Sequence, residues 1–250
     1  MTDRPGGDGW PSVVDGRLDA LRAAGRWRSL RPLDAAGPNG ALGPDGQVVT
    51  TFASNDYLGL STHPRVVADA HRALDRWGAG ATASRLVVGS RPVHHDLEIG
   101  LAEWKGTEGA LVFPTGYAAN LGVLSALAGP GTRIVSDALN HASIVDGCRL
   151  ARAETVVVAH RDVDAVERAL TVDDRPCVVV TDTVFSMDGD VADVDALAEI
   201  CSRHRALLVL DEAHEVLGHG IDPAAHPDLA LVRVGTLSKA LGSLGGFVAT

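Results

Sequence analysis

The pattern of apolar and polar positions becomes regular after Gly109. From there on, short runs of continuous rather than alternating apolar residues recur, and segments with helical spacing lie between most of them. This pattern is typical of an α/β fold in which a mostly parallel sheet lies between layers of helices. Strands are predicted at 110–113, 134–136, 155–159, 177–181, 207–210, 231–235 and 247–249, a sheet of seven. Helices are predicted at 117–127, 143–153, 163–170 and 194–204.

The preceding part of the chain predicts less regular structure. A first helix is expected over residues 12–25, where Ser12 and the acidic residue three positions later have the spacing of a capping box. A short strand is expected over residues 48–53, and a second helix is expected to begin near Pro64. The glycine-rich stretch 78–89 predicts backbone that lies close to a ligand or to another subunit.

Polar loops follow five of the predicted strands, at the sheet edge where parallel sheets bind ligands. These loops are 114–117, 137–141, 181–189, 211–214 and 236–239. Asp211 comes directly after a very apolar strand, where a carboxylate is costly unless it meets a cation such as a protonated pyridine nitrogen. Residues 115–117 lie between a strand and a helix, so their N–H groups and the positive helix end could bind a phosphate.

Lysine is nearly absent from the chain, because only Lys105 and Lys239 among 22 basic residues are lysines. Lys105 has the position of a helix end, where a cation complements the helix dipole. Lys239 follows an apolar strand, and a desolvated amine can attack a carbonyl to form a Schiff base, as an arginine cannot. Taken alone, Lys239 is better interpreted as a surface lysine in a loop. With His141 placed to stack on an aromatic ring and His214 to donate to a phenolic oxygen, the set describes a pyridoxal phosphate site.

Other interpretations of these motifs fail on their context. Residues 211–214 spell the acidic box of a helicase, but neither lysine follows a glycine as a P-loop requires. Residues 78–83 match a dinucleotide fingerprint, yet a predicted helix precedes them where a strand is needed. His94 and His95 are adjacent on a predicted helix and therefore do not face one metal site. No metal site is expected.

Composition argues against several binding partners and structural classes. The net charge of −10 argues against binding to nucleic acid or to an acidic membrane. Three scattered cysteines predict neither a disulfide framework nor a zinc site. The first residues lack the apolar segment of a signal peptide, and no apolar run reaches membrane-spanning length, so a cytoplasmic location is expected.

Seven motifs together resemble the α-oxoamine synthases, which have the aspartate aminotransferase fold, known as fold type I. The motifs are NDYLGL (55–60), SRLV (84–87), TGYAAN (115–120), NHASI (140–144), VFSMDGD (184–190), DEAH (211–214) and GTLSKALGS (235–243). The match runs in order from about Val48 to Thr250. Residues 48–250 are therefore expected to form the cofactor-binding large domain, and residues 1–47 an N-terminal helix and arm.

The resemblance implies a role for each site residue. Lys239 would hold pyridoxal phosphate as a Schiff base and then move the α-proton of an amino acid. Asp211 would pair with the pyridinium nitrogen, and His141 would stack on the ring. The remaining implied contacts are His214 and Ser186 at the ring hydroxyl, Gly116, Tyr117 and Thr236 at the phosphate, and Asn55 and Arg85 in the substrate region.

The reaction implied by the resemblance is a decarboxylative condensation of an amino acid with an acyl thioester. Residues 78–85 and 160–166 most resemble the branch that joins L-alanine to pimeloyl-CoA, or to a pimeloyl carrier-protein thioester, in biotin biosynthesis. The glycine C-acetyltransferase and 5-aminolevulinate synthase branches share the cofactor-site residues and remain alternatives. Because fold type I sites form at a dimer interface, a homodimer is expected.

Two departures from the family pattern leave a second class of function open. The stretch 215–218 is shorter than in the family, and Glu215 replaces a small residue. The sequence ends at Thr250, before the C-terminal small domain, which carries an arginine for the carboxylate of the amino acid. If these residues were the whole protein, exposed apolar surface and weak or absent turnover would be expected. The alternative is a non-catalytic remnant that pairs with a full-length partner.

Overall fold

A computed structural model describes residues 9–215 and 220–250. The chain divides into two compact units, Met1–Ala53 and Ser54–Thr250. Most of the predicted shortened stretch 215–218 lies outside the described residues, so its conformation stays a prediction.

The first unit contains one helix and a small antiparallel sheet. Helix α1 spans Trp10–Ala23, and strands β1, β2 and β3 span Leu33–Ala35, Asn39–Leu42 and Gln47–Thr50. The predicted capping box at Ser12 is wrong, because the helix already begins at Trp10 after Gly9 and has no side-chain cap. A proline in the first turn is compatible with this earlier start, since its missing N–H has no helical partner there.

The second unit is built around a seven-stranded sheet. Its strands are β4 (Ala110–Phe113), β5 (Arg133–Asp137), β6 (Glu154–Val158), β7 (Cys177–Asp182), β8 (Leu207–Asp211), β9 (Leu231–Thr236) and β10 (Gly246–Ala249). Its helices are α2 (Pro64–Trp77), α3 (Pro92–Lys105), α4 (Gly116–Leu127), α5 (Ala142–Ala151), α6 (Val163–Leu170) and α7 (Val194–His204). The strand order is β4-β10-β9-β8-β7-β5-β6. Strands β5 to β9 pair in parallel, and β10 is antiparallel to both of its neighbours. The predicted mostly parallel sheet is confirmed.

The continuous apolar runs are explained by burial on both faces of the sheet. In β7, Val178 and Val180 join a hydrophobic cluster with α4 and α5, whereas Val179 joins a second cluster with α6 and α7. Because successive side chains in a strand point to opposite faces, every position of a central strand must be apolar. The carboxyl ends of the parallel strands consequently lie along one edge of the sheet, where polar residues follow.

Within residues 9–215 and 220–250, no helix has the length and apolar character needed to cross a membrane. The same residues contain no group of three or more His, Cys, Asp or Glu side chains arranged to hold a metal ion. The three cysteines are free and buried, and Cys177 lies at the start of β7 as part of the core.

Candidate active site

A cleft of about 190 Å³ opens at the carboxyl edge of the parallel strands. Eight of the ten residues that the sequence predicts for the site line this cleft: Gly116, Tyr117, His141, Ser186, Asp211, His214, Thr236 and Lys239. They come from the ends of β4, β5, β7, β8 and β9, as the alternation of strands and helices predicts. The sheet therefore brings together residues that are more than a hundred positions apart in the chain.

Asp211 is the buried anion at the floor of the cleft. Its side chain accepts hydrogen bonds from Asn120 Nδ2 at 2.6 Å and from the backbone N–H of Ala213 at 2.9 Å. Burial raises the pKa of this carboxyl above its usual range, although those donors and the positive charge of Lys239 oppose the rise. Since both hydrogen-bond donors are neutral, a cationic N–H entering the cleft would strongly stabilise the carboxylate.

Lys239 lies at one end of a chain of polar contacts. Its Nζ is 2.7 Å from His214 Nε2, and His214 Nδ1 is 2.8 Å from the hydroxyl oxygen of Tyr57, which donates to Asn55 Oδ1 at 3.1 Å. Burial lowers the pKa of Lys239, and it lowers the pKa of His214 to about 4 with the help of the nearby Lys239 charge. A neutral His214 that donates from Nδ1 to Tyr57 leaves Nε2 free to accept a hydrogen bond from the lysine amine.

The start of helix α4 has the features of an anion-binding site. Thr115 caps the helix by accepting a hydrogen bond from the N–H of Ala118 at 3.0 Å. Gly116 approaches Thr236 so closely that an added Cβ would lie 3.3 Å from its Cβ. The first N–H groups of the helix and the hydroxyls of Thr236 and Ser238, which lie 2.7 Å apart, line the same cleft. Together they suit a phosphate group.

His141 also lines the cleft, and its imidazole contacts Ser143 in the first turn of α5. Its Nδ1 is 2.7 Å from Ser143 Oγ, and this serine accepts a hydrogen bond from Asn120 Nδ2 at 2.9 Å. Because Asn120 also contacts Asp211, one amide orients both the imidazole and the buried carboxylate. The ring of Tyr117 meets His141 edge to face at 6.3 Å.

Ser186 belongs to a loop that His160 links to the end of strand β5. His160 Nδ1 is 3.0 Å from Asp137 Oδ1, and its Nε2 is 2.7 Å from Asp190 Oδ2. Burial lowers the pKa of His160, but the two carboxylates raise it by more, so the net shift is upward. The imidazole also packs edge-on against Phe185 at 4.4 Å. These contacts hold the loop from which Ser186 reaches the cleft.

The structure places the two predicted substrate-binding residues outside the cleft lining. Arg85 is the first residue of the short helical segment Arg85–Gly89. It forms a bidentate ion pair with Glu98 of α3, with N–O distances of 2.6 and 3.0 Å. Asn55 Oδ1 accepts a hydrogen bond from the hydroxyl of Tyr57, and this hydroxyl contacts His214 in the cleft. A role of either residue in substrate binding stays a prediction.

Three buried residues that contribute to the site received no role from the sequence: Asn120, Ser143 and Asp182. Asn120 lies four positions after Gly116 in α4, so helical spacing would have placed both on one face. Ser143 is in the first turn of α5. Asp182 ends β7, directly after an apolar strand, and is thus in the same situation as Asp211 on β8.

Behind the cleft, a buried ionic network supports the strand that carries Asp211. Lys105 Nζ is 2.7 Å from Glu212 Oε2, and Arg233 Nε is 2.6 Å from Glu212 Oε1. Arg233 also donates to the carbonyl oxygen of Lys105 at 2.9 Å, and Lys105 lies over the ring of Trp104. The sequence placed Lys105 correctly at a helix end, but its side chain is only 6% exposed and pairs with Glu212.

Lys105→Met is expected to lower the free energy of unfolding by about 1–3 kcal/mol. The substitution keeps most of the aliphatic volume but removes one of the two cations that compensate the fully buried Glu212. The loss is moderate because Arg233 still neutralises the carboxylate. Equilibrium unfolding in urea measures the effect.

The matched control is Arg168→Met, which removes a cation from an exposed pair with Asp162. That change should alter the free energy of unfolding by about 0.5 kcal/mol or less. Equal effects of the two substitutions would contradict a stabilising role for the buried network.

Comparisons with known proteins agree with this geometry. The family described as "Aminotransferase class I and II" matches residues 47–250. The chain belongs to this family. An 8-amino-7-oxononanoate synthase from Mycobacterium sp. (strain JLS) is 51% identical over an aligned length of 245 residues, and the alignment covers 94% of this chain and 61% of that protein. The chain thus spans 61% of the length of this curated relative.

Solved structures of two members of the family superpose on the chain. A serine palmitoyltransferase from S. paucimobilis, with a bound PLP–myriocin aldimine, has a TM-score of 0.86 at 32% identity, over 96% of this chain and 64% of that chain. An 8-amino-7-oxononanoate synthase from Francisella tularensis has a TM-score of 0.67 at 28% identity, over 80% of this chain and 57% of that chain. The predicted fold type I and the resemblance to the α-oxoamine synthases are confirmed.

The residues of this aminotransferase-family chain suit pyridoxal phosphate in three respects. Asp211 is a buried carboxylate with a raised pKa and neutral donors, which favours a protonated ring nitrogen. Lys239 is a partly buried amine with a lowered pKa, as a carbonyl-binding lysine requires. The N-terminus of α4 supplies the anion cradle at the same cleft.

Proposed function

We propose that this protein is a pyridoxal phosphate-dependent 8-amino-7-oxononanoate synthase of biotin biosynthesis. It would condense L-alanine with pimeloyl-CoA, or with a pimeloyl carrier-protein thioester, and release carbon dioxide and the free thiol. The observation that carries the proposal is the cleft that unites Lys239, Asp211, His141 and His214. The 51% identity to a relative of that name, over 94% of the chain, supports this choice of substrates.

The cofactor would supply an aldehyde that bonds to amines and a protonated ring that withdraws electrons from the α-carbon of the substrate. Lys239 is suited to bond that aldehyde, because burial favours the neutral, nucleophilic form of its amine. Once displaced by the amino group of L-alanine, the same amine can take the α-proton and later return one to the product carbon. His214 Nε2, at 2.7 Å, orients the lysine during both steps.

The other residues of the cleft hold the cofactor and keep its ring protonated. Asp211 would accept the ring N–H⁺, and Asn120 and the N–H of Ala213 fix the carboxylate for this contact. The α4 N-terminus and Thr236 would bind the phosphate, and His141 would cover one face of the ring. Asp211 is only 4% exposed, so water has little access to its carboxylate.

A second candidate is the same type of condensation by another α-oxoamine synthase, with glycine or L-serine as the amino acid. The specific observation in its favour is the superposition on a serine palmitoyltransferase, which has a higher TM-score than the one on an 8-amino-7-oxononanoate synthase. Glycine C-acetyltransferase and 5-aminolevulinate synthase types use the same cofactor contacts. A non-catalytic remnant that binds the cofactor without turnover is the third possibility that an experiment must separate.

A homodimer and a cytoplasmic location are part of the proposal. Support for the dimer comes from the end of the glycine-rich stretch 78–89, where Leu86 is 100%, Val87 73% and Val88 68% exposed. Three consecutive exposed apolar side chains are unusual for a monomer surface. Light scattering on the purified protein measures the assembly directly, and a monomeric mass would contradict this part of the proposal.

The test is the absorbance spectrum of the purified protein with pyridoxal phosphate, before and after addition of L-alanine, glycine or L-serine. We expect a visible band that L-alanine shifts at a concentration about tenfold or more below that of the other two amino acids. Release of free thiol from pimeloyl-CoA should then depend on L-alanine. A preference for glycine or L-serine would favour the second candidate. A band that no amino acid shifts would favour the remnant, and no band at all would refute the proposal.

A further inference from the structure

Asp182 is a second buried carboxylate beside Asp211. The two residues are register partners at the ends of the parallel strands β7 and β8, and they are 5% and 4% exposed. Partners in adjacent strands point their side chains to the same face of the sheet. Both residues also line the cleft. The floor of the cleft therefore carries two carboxyl groups side by side.

Asp182 is held in place by two residues that follow strand β5, Asn140 and His141. Its Oδ2 accepts a hydrogen bond from the backbone N–H of His141 at 2.7 Å. Its own backbone N–H donates to Asn140 Oδ1 at 3.0 Å, and Asn140 is anchored in turn to the carbonyl oxygen of Val180. Asp182 thus fixes the backbone of the residue whose imidazole lies against the cleft.

Asp182 lies among groups that disfavour the ionised form of its carboxyl, so a nearby cation is needed to keep it fully charged. Burial, followed by the charge of Asp211, raises the pKa of Asp182 to about 7. Asp137, at the end of β5, acts in the same direction, whereas the His141 N–H and the charge of Lys239 act against it. Two neighbouring buried carboxylates keep both charges only when a cation compensates them.

We propose that Asp182 is a positioning residue that fixes His141 and, through its charge beside Asp211, stabilises the protonated ring nitrogen of bound pyridoxal phosphate. The inference rests on the proposed function. It assigns two separable contributions to one carboxylate. The hydrogen bond to His141 needs only an acceptor oxygen, whereas the effect on the ring nitrogen needs the negative charge.

Asp182→Asn and Asp182→Ala separate these contributions. Asparagine keeps the shape and one acceptor oxygen but removes the charge, and alanine removes both. Each variant is loaded with pyridoxal phosphate labelled with ¹⁵N in the ring, and the ¹⁵N chemical shift is followed against pH. A spectroscopic titration gives the dissociation constant of the cofactor. Asp228→Asn removes one charge from an exposed loop before β9, at the opposite edge of the sheet, and is the matched control.

In Asp182→Asn we expect the midpoint of the ring-nitrogen titration to fall by about one pH unit or more. The dissociation constant should rise by about tenfold, which corresponds to the same change in free energy. Asp182→Ala should show the same fall in the midpoint and, in addition, a changed circular dichroism of the cofactor band, because His141 is no longer fixed. Asp228→Asn should behave as the unaltered protein.

The outcomes distinguish this inference from the proposed function. If the unaltered protein binds the cofactor but Asp182→Asn titrates at the same midpoint with the same dissociation constant, Asp182 does not act on the ring nitrogen. Identical circular dichroism for the alanine variant and the unaltered protein would refute the positioning of His141. Failure of the unaltered protein to bind pyridoxal phosphate would instead refute the proposed function, and this inference with it. Thermal unfolding confirms that each variant is folded.

Discussion

Lys239→Ala is expected to abolish the visible absorption band formed with pyridoxal phosphate and to reduce turnover by about a thousandfold or more. Lys239 is the lysine that lines the cleft, and the amine is both the attachment point and the proton carrier in the proposed reaction. Burial lowers the pKa of this amine and so favours its neutral, nucleophilic form. Absorbance at fixed cofactor concentration and release of free thiol measure the two losses.

The chain offers an unusually clean chemical control, because Lys105 and Lys239 are its only lysines. Borohydride reduction of the loaded protein, followed by peptide mass analysis, should place the cofactor on the peptide that contains Lys239. Lys105 pairs with Glu212 in the buried network and should stay unlabelled. Lys239→Arg keeps the charge but lacks a reactive amine, so it should resemble the alanine variant. Labelling at Lys105, or a normal band in Lys239→Arg, would refute the assignment.

Asp211→Asn is expected to reduce turnover by about a hundred- to a thousandfold, because an amide does not stabilise a protonated ring nitrogen as a carboxylate does. In the absence of cofactor, the same substitution should leave the thermal midpoint at pH 7 unchanged or raise it. The pKa of Asp211 is raised in the folded state, so its ionisation opposes folding once the pH exceeds the pKa of the unfolded chain. An asparagine at this position avoids that cost.

The pH dependence provides the control for this second prediction. The stability difference between Asp211→Asn and the unaltered protein should shrink as the pH falls toward the pKa of an ordinary aspartate. Below that pH, Asp211 is protonated in both the folded and the unfolded chain, so its ionisation no longer opposes folding. Asp211→Glu restores the charge and should recover part of the turnover. A variant that is strongly destabilised without cofactor, or that turns over normally, would contradict the role of Asp211 as an anion held for a cation.

Much of the site could be predicted from local patterns. Asp211 was identifiable because a carboxylate directly after the five-residue apolar run 206–210 is costly unless it has a cationic or hydrogen-bonding partner. Lys239 was identifiable because the chain contains only two lysines and this one follows a predicted strand. By contrast, the sequence placed the start of α1 two residues late, because the capping-box spacing at Ser12 outweighed a proline that suits the first turn equally well.

The contacts between strands could not be predicted in the same way. Asp182 and Asp211 are 29 positions apart, and they become neighbours only because β7 and β8 pair in register. The burial of Lys105 depends on Glu212 and Arg233, which lie more than a hundred positions away. In each case the local sequence is compatible with an exposed, solvated side chain, and tertiary packing overrides that default.

By itself, the sequence determined the seven strands and helices α4 to α7 of the second unit, the edge at which the site lies and the chemical character of its main residues. Continuous apolar runs indicate strands buried on both faces, and the polar residue after such a run marks the edge of the sheet. Only the tertiary structure decided which carboxylates share the cleft, how Asn120 links His141 to Asp211, and that Lys105 is buried. The physical reason is that the repeat of apolar and polar side chains along a helix or strand depends only on neighbouring residues. Strand order and register, by contrast, depend on contacts between segments that are far apart in the chain, and no local pattern encodes those contacts.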